Sequence, residues 1–163
     1  MGSISNEIDH EFRFFRAYND GRIETFYKTQ KIPPSTDSIT GVQSKDVVIS
    51  PEVSARIFVP KIHNPTQKLP VLFYIHGGGF CLESAFSPMF HKHLTLLAHE
   101  SNAIAISVEY GLFPERPIPA CNEDSWATLK WVVSHSTCNG PDPWLNQYAE
   151  FDWPMVVSFV QLL

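Results

Sequence analysis

The chain has 163 residues, 44% of them hydrophobic, and a formal net charge of −5 at pH 7. Because lysine and arginine form no cluster, this acidic balance argues against nucleic acid and anionic membranes as partners. Residues 1–13 lack the apolar run of an export signal, and no segment approaches the ~18 apolar residues of a membrane span. We therefore expect one cytoplasmic domain, with separate thiols at Cys81, Cys121 and Cys138.

Residues 1–60 predict one short helix followed by antiparallel strands. Apolar side chains recur at helical spacing in residues 7–17, which favours a helix there. Asp20-Gly21 is a typical hairpin turn, and residues 23–27 would form the returning strand. Residues 45–49 and 53–59 predict a second hairpin around the turn at residues 50–52.

Strands and helices alternate in the rest of the chain. Residues 71–75 and 103–110 are continuous apolar runs, which are typical of strands buried on both faces of a parallel sheet. Residues 88–100 and 124–135 predict amphipathic helices, and a proline-rich loop at residues 111–120 precedes the second helix. This order predicts an α/β fold with a mixed, mostly parallel sheet and flanking helices.

The apolar spacing also predicts the buried face of each helix. The inward residues are Phe90, Leu94, Leu97 and Ala98 in the first helix, and Trp126, Leu129 and Val133 in the second. The polar face of the first helix would carry His91, Lys92, Thr95 and His99. His91 and His93 point apart because they are two residues apart on a helix, so a solvated face is favoured over a metal site.

The most informative motif is His76-Gly77-Gly78-Gly79-Phe80, directly after the strand at residues 71–75. Glycines let backbone N–H groups approach a ligand oxygen with no Cβ in the way. The simpler alternative is a plain tight turn. The spacing also matches the HGGG-type motif that lines the oxyanion hole of lipases and esterases.

In their order and spacing, the motifs of this chain resemble those of the plant carboxylesterases of the hormone-sensitive-lipase type. The matching stretches are residues 19–23, 47–60, 69–80, 108–110, 113–115, 117–120, 124–126 and 142–145. The resemblance implies a truncated α/β-hydrolase fold, in which residues 1–151 are the N-terminal part of the domain and residues 152–163 are a divergent tail.

The resemblance also implies the role of each motif residue. Gly78 and Gly79 would donate backbone N–H groups to the oxyanion hole, His76 and Gly77 would support the loop, and Phe80 would form a wall of the site. The full-length relative would hydrolyse a small-molecule carboxylic ester through a Ser nucleophile, a His base and an Asp orienter. The resemblance implies no cofactor and no metal.

Two departures from the family pattern lie in the loop after residue 110. Gly111 stands where the family has Arg, which would leave Glu109 or Glu115 without a guanidinium partner. Phe113 replaces a small Ala, which would crowd the same loop.

A third departure concerns the nucleophile. After Phe151 the family continues into Gly-Asp-Ser-Ala-Gly, whereas here the nearby hydroxyl is Ser158, with Val156 and Val160 two residues away on either side. A nucleophile elbow needs small residues at those positions, so Ser158 is interpreted as an ordinary strand serine and residues 1–163 as inactive. The family's strand order places residues 71–75 between residues 103–110 and the strand after Phe151. If residues 155–163 do not pair there, a bare apolar edge would favour self-association.

Two other functions stay open. Gibberellin receptors share this fold, have lost catalysis and resemble His-Gly-Gly-Ser-Phe; Gly79 at the third position favours the esterases. A dehydratase of the hydroxyisoflavanone type keeps all three glycines, and the sequence does not separate it from an esterase.

Overall fold

A computed structural model describes residues 7–151 and the backbone of residues 156–159. The strands in this part of the chain are β1 (Ile8–Glu11), β2 (Phe15–Tyr18), β3 (Ile23–Thr25), β4 (Gln43–Ser50), β5 (Val53–Val59), β6 (Leu69–Ile75), β7 (Ile104–Glu109), β8 (Ala149–Glu150) and β9 (Val156–Phe159). The helices are α1 (Pro88–Ser101), α2 (Ala120–Val133) and α3 (Pro143–Tyr148). Residues 152–155 and 160–163 of the predicted divergent tail, Val160 among them, lie outside the described residues.

The main sheet has the strand order β4-β5-β7-β6-β8, and β9 also pairs with β6. Strand β5 runs antiparallel to β4 and β7, whereas β6 runs parallel to β7, β8 and β9. The predicted mixed, mostly parallel sheet is thus confirmed, as is the place of β6 between β7 and the segment after Phe151. Because β8 and β9 pair with β6, that edge is not bare, and Ser158 lies opposite Tyr74 within the β9 ladder.

Helices cover both faces of this sheet. Successive residues of a strand point to opposite faces, and Ile57 and Phe58 of β5 accordingly belong to two different apolar clusters. The Phe58 cluster includes Leu94 of α1, and the Ile57 cluster includes Val132 of α2 and Leu145 of α3. Strand β6 is buried between these layers, so its carboxyl end is held in a fixed place at the edge of the core.

Helix α1 has the predicted position and begins as its sequence indicates. The Ser87 hydroxyl accepts a hydrogen bond from the Phe90 N–H, and Pro88 occupies the first turn, where no N–H is needed. Thr95, predicted on the polar face, is buried, and its hydroxyl donates to the His91 carbonyl. The His91 ring is half-buried and accepts a hydrogen bond from Arg56 at 3.0 Å. The prediction of a solvated face is therefore wrong for these two residues.

The predicted inward face of α2 is wrong in two of its three positions. Trp126 and Val133 are exposed, and Leu129 alone of the three packs partly against the core. The buried face instead carries Asp124, Ser125 and Thr128, together with Cys121 and Val132. Each hydroxyl on this face donates to a carbonyl one turn earlier in α2, so burying these side chains leaves no polar group unsatisfied.

The helix predicted at residues 7–17 is also wrong. Strands β1, β2 and β3 form a separate antiparallel sheet instead. The Asp20-Gly21 turn between β2 and β3 is as predicted, with the Gly21 N–H donating to the Tyr18 carbonyl. A helix of this length has little stability of its own, and Ile8 and Phe12 are exposed, so no core contact favours the helix over the ladder.

Candidate active site

The three glycines form a tight turn at the carboxyl end of β6. Gly78 and Gly79 have φ of 126° and 59°, in the region that favours glycine. The Gly78 carbonyl accepts hydrogen bonds from the N–H groups of Cys81 and Leu82, at 3.1 and 3.0 Å. A Cβ on Gly78 would overlap the Leu82 carbonyl, whereas a Cβ on Gly79 would meet no atom within 4 Å. Only glycine fits the first of these positions.

The N–H groups of Gly78 and Gly79 donate no hydrogen bond to another described residue. Buried or half-buried backbone donors normally find a partner, so two unused donors in succession are unusual. In open α/β sheets, ligands lie outside the carboxyl ends of the strands, which is where this turn sits. The arrangement is chemically suited to holding an oxygen that carries negative charge.

The His76 side chain is buried beneath the turn. Its Nδ1–H donates to the Gly77 carbonyl at 2.9 Å, and its ring stacks on Tyr110 with 4.2 Å between centroids. The Tyr110 hydroxyl donates to the His76 carbonyl at 2.7 Å, which ties the end of β6 to the end of β7. Burial lowers the pKa of His76. No described residue contacts its Nε2 by a hydrogen bond.

The chain after the glycine turn is strained and is held by side chains from distant segments. Phe80 and Glu83 have φ of 62° and 72°, which is uncommon for residues with a Cβ. The Glu109 carboxylate accepts hydrogen bonds from the Ser84 hydroxyl at 2.8 Å and the Ala85 N–H at 2.7 Å. Its other oxygen pairs with Lys31 at 2.6 Å. Among the described residues, Glu109 thus lacks a guanidinium partner, as expected, but it is not unpaired, because the Lys31 ammonium pairs with it.

A guanidinium does reach this loop, but it belongs to Arg116, and its partners are Asp124 and Glu52 and not Glu109 or Glu115. Arg116 pairs with Asp124 at 2.9 Å, and the same carboxylate oxygen accepts the Gly111 N–H at 2.9 Å. A Cβ on Gly111 would overlap the Arg116 side chain. The glycine therefore makes room for an arginine five residues further along the chain. Phe113 does not crowd this loop, since it packs edge-on against Phe15 of β2.

A cleft of about 480 Å³ opens beside the glycine turn. Its walls come from residues 25–31, the strained loop after the turn, the end of β7 and the loop after it. They include Phe26, Tyr27, Lys31, Cys81, Glu83, Glu109 and Phe113. The Tyr27 hydroxyl donates to Glu83 at 2.8 Å, a bond that raises the Tyr27 pKa, while burial raises the pKa of Cys81. The cleft combines aromatic surface with paired charges.

Sequence reasoning located the glycine turn but missed the walls contributed by residues 25–31. Tyr27 and Lys31 are 56 and 78 residues from the carboxylates they contact, and no local pattern indicates such pairs. Glu109 carried a usable signal, because it is the last residue of β7, at the same sheet edge as the glycine turn. Within the described residues, no group of His, Cys, Asp and Glu is placed to hold a metal, and none of the helices could span a membrane.

Comparison with known proteins gives one matching family model and many relatives. The model describes the alpha/beta hydrolase fold and matches residues 72–157. The chain is 49% identical over 158 residues to a 2-hydroxyisoflavanone dehydratase of Glycyrrhiza echinata, covering 92% of this chain and 48% of that protein. It is 44% identical over 156 residues to Probable carboxylesterase 5 of Arabidopsis thaliana, covering 91% of this chain and 48% of that protein. The chain thus spans about half the length of these relatives.

Solved structures show the same likeness. The esterase LipW from Mycobacterium marinum superposes with a TM-score of 0.53 at 32% identity, over 63% of this chain and 32% of that one. Vibralactone cyclase superposes with a TM-score of 0.55 at 25% identity, over 61% of this chain and 30% of that one.

Proposed function

This chain belongs to the α/β-hydrolase fold family, among the plant carboxylesterases of the hormone-sensitive-lipase type, and from that premise we propose that it carries the oxyanion-binding loop of a carboxylic ester hydrolase. Gly78 and Gly79 are the proposed donors, and His76 and Gly77 support the loop. The substrate is a small-molecule ester bound in the cleft beside the turn. The proposed compartment is the cytoplasm, which microscopy of a fluorescently tagged chain would check.

One observation carries this proposal: two consecutive glycine N–H groups, unused by any described residue, at the carboxyl end of a central strand. Attack on an ester carbonyl places negative charge on its oxygen, and fixed donors stabilise that charge without reorganising. The strained loop and the Glu109 contacts support the proposal, because they hold the turn in one conformation before substrate arrives.

The proposed chemistry needs a nucleophile that residues 1–163 do not supply. The sequence contains no Gly-x-Ser-x-Gly elbow, and Ser158 lies within the β9 ladder. We therefore assign these residues the binding of the developing charge and leave attack to a Ser-His-Asp triad of the family type. Residues 1–163 by themselves are inactive in this proposal.

A chimera tests the loop directly. Residues 7–151 would replace the matching segment of Probable carboxylesterase 5, so that the relative supplies its own remaining residues. The expected result is hydrolysis of a p-nitrophenyl ester. Gly78→Ala should lower kcat by about 10²-fold or more, because its Cβ displaces the donors. Gly79→Ala is the matched control: it keeps its N–H and meets no neighbour, so kcat should fall less than about tenfold. Equal losses in the two variants would contradict the assignment.

A second candidate function is dehydration, which the 49% identity to a 2-hydroxyisoflavanone dehydratase favours. Removing water next to a carbonyl also develops negative charge on oxygen, so the same donors would serve. A second chimera, in which residues 7–151 replace the matching segment of the dehydratase, separates the two candidate functions. Each chimera is offered an ester and a 2-hydroxyisoflavanone. Preferential loss of water from the hydroxyisoflavanone in both chimeras would favour the dehydratase.

A further inference from the structure

The outward face of α2 carries exposed apolar side chains beside its charged ones. The Trp126 side chain is 59% exposed and Val133 is 49% exposed, and Ile118, just before the helix, is exposed as well. Trp126 and Val133 are seven residues apart, so they lie on one line along the helix. The opposite face of α2 is already buried against the sheet. An exposed tryptophan in line with a second apolar side chain makes this face a candidate interaction surface.

Two opposite charges lie on the same side of this line. Glu123 and Lys130 are exposed and lie within about 60° of Trp126 around the helix axis. Glu123 precedes Trp126 by three residues and Lys130 follows it by four, so the midpoint of the pair falls between residues 126 and 127. The charges are thus placed symmetrically about the exposed tryptophan.

This placement is self-complementary. When two copies of α2 pack antiparallel about a two-fold axis at that midpoint, Glu123 of each copy faces Lys130 of the other. The same geometry brings Val133 of one copy to the level of Ala120 of the other, about 3 Å along the axis from Ile118. A parallel pair would instead place like charges opposite each other.

We propose that the outward face of α2 is a self-association surface whose partner is a second copy of this chain, packed antiparallel through Trp126. Trp126 is the apolar anchor, since tryptophan dominates the energy of many interfaces. The two Glu123–Lys130 pairs set the register and the antiparallel direction. None of the residues that line the cleft beside the glycine turn belongs to α2, so this surface is independent of the proposed ester site.

Charge reversal tests the register. Residues 1–163 and three variants, Glu123→Lys, Lys130→Glu and the double variant, would be compared by sedimentation velocity across a concentration series. Each single variant places like charges opposite each other twice and should weaken the dimer by about tenfold or more. The double variant restores both pairs and should dimerise like the parent. An equimolar mixture of the two single variants should form a heterodimer, because each supplies the charges that the other lacks.

Truncation tests the anchor. Trp126→Ala should weaken self-association roughly 10²-fold, since both copies lose the side chain. Leu96→Ala removes an exposed apolar residue from α1 and should leave association unchanged. Far-UV circular dichroism would show that each variant keeps the parent fold. A chain that is monomeric throughout the series, association that ignores the charge reversals, or single variants that do not recombine would each overturn the proposal.

Discussion

The two carboxylate oxygens of Glu109 have different partners, and we expect these contacts to contribute different amounts to the free energy of unfolding. One carboxylate oxygen accepts hydrogen bonds from Ser84 and Ala85, in the loop after the glycine turn. The other pairs with Lys31, whose side chain is 56% exposed, while that of Glu109 is 16% exposed. We expect the hydrogen bonds from Ser84 and Ala85 to contribute more to the free energy of unfolding than the Lys31 ion pair, because water screens the exposed ammonium.

The magnitudes follow from these environments. Lys31→Met removes one ion pair with an exposed partner and should lower the free energy of unfolding by about 0.5–1 kcal/mol. Glu109→Gln removes the charge from two short hydrogen bonds and should cost about 2–3 kcal/mol. In the double variant the lysine has no carboxylate to lose, so the two costs should overlap by about 0.5–1 kcal/mol.

Urea unfolding of the chimera measures the three costs, and hydrogen exchange of a peptide covering residues 78–86 measures local opening. A local cost of about 2–3 kcal/mol corresponds to roughly 30- to 160-fold faster exchange in that peptide. Glu52→Gln is the control, since Glu52 is exposed and pairs with Arg116 at 3.3 Å. If Glu109→Gln costs no more than Glu52→Gln, or if Lys31→Met costs as much as Glu109→Gln, the reasoning about the loop is refuted.

Three further predictions concern activity, packing and pH. Residues 1–163 alone should show no p-nitrophenyl ester hydrolysis above background, because no activated nucleophile is present; a fluorophosphonate adduct on Ser158 in a mass spectrum would contradict this. Gly111→Ala should cost about 1–2 kcal/mol in urea unfolding, because its Cβ overlaps Arg116 and displaces it from Asp124; in an Arg116→Ala background the same change should cost clearly less, and equal costs would disprove the link. Burial lowers the pKa of both His76 and His91, and Arg56 lowers that of His91 further. The unfolded chain therefore binds protons near pH 6.5 that the folded chain does not, so these two rings should lower stability as the pH drops below about 6.5 and add no pH dependence above about pH 7. His91→Gln should flatten that fall, and a stability independent of pH between 5 and 7 would be inconsistent with the burial of these rings.

The elements predicted best are those whose own residues, over a short stretch of sequence, favour a single type of secondary structure. Leu69–Ile75 is a continuous apolar run that ends in glycines, and its strand and turn were predicted from those residues alone. Helix α1 begins at Pro88 after a serine cap, and both signals are local. The glycine turn was located for the same reason. Its motif is local, and the conformation at Gly78 excludes every residue with a Cβ, so the sequence must carry glycine there.

The sequence by itself therefore determined the order of strands and helices and the place of the glycine turn, through backbone constraints that act over a few residues. Only the tertiary structure decided which face of α2 is buried. The Asp124 carboxylate accepts hydrogen bonds from Arg116 and from the Gly111 N–H, and these bonds offset the free-energy cost of burying a polar face. The spacing of apolar residues along the helix does not show these partners. It also decided that residues 8–18 form strands, through pairing with each other and with β3. The walls of the cleft follow the same rule: the contact of Lys31 with Glu109 joins residues 78 apart, and contacts at that separation exist only once the chain has folded.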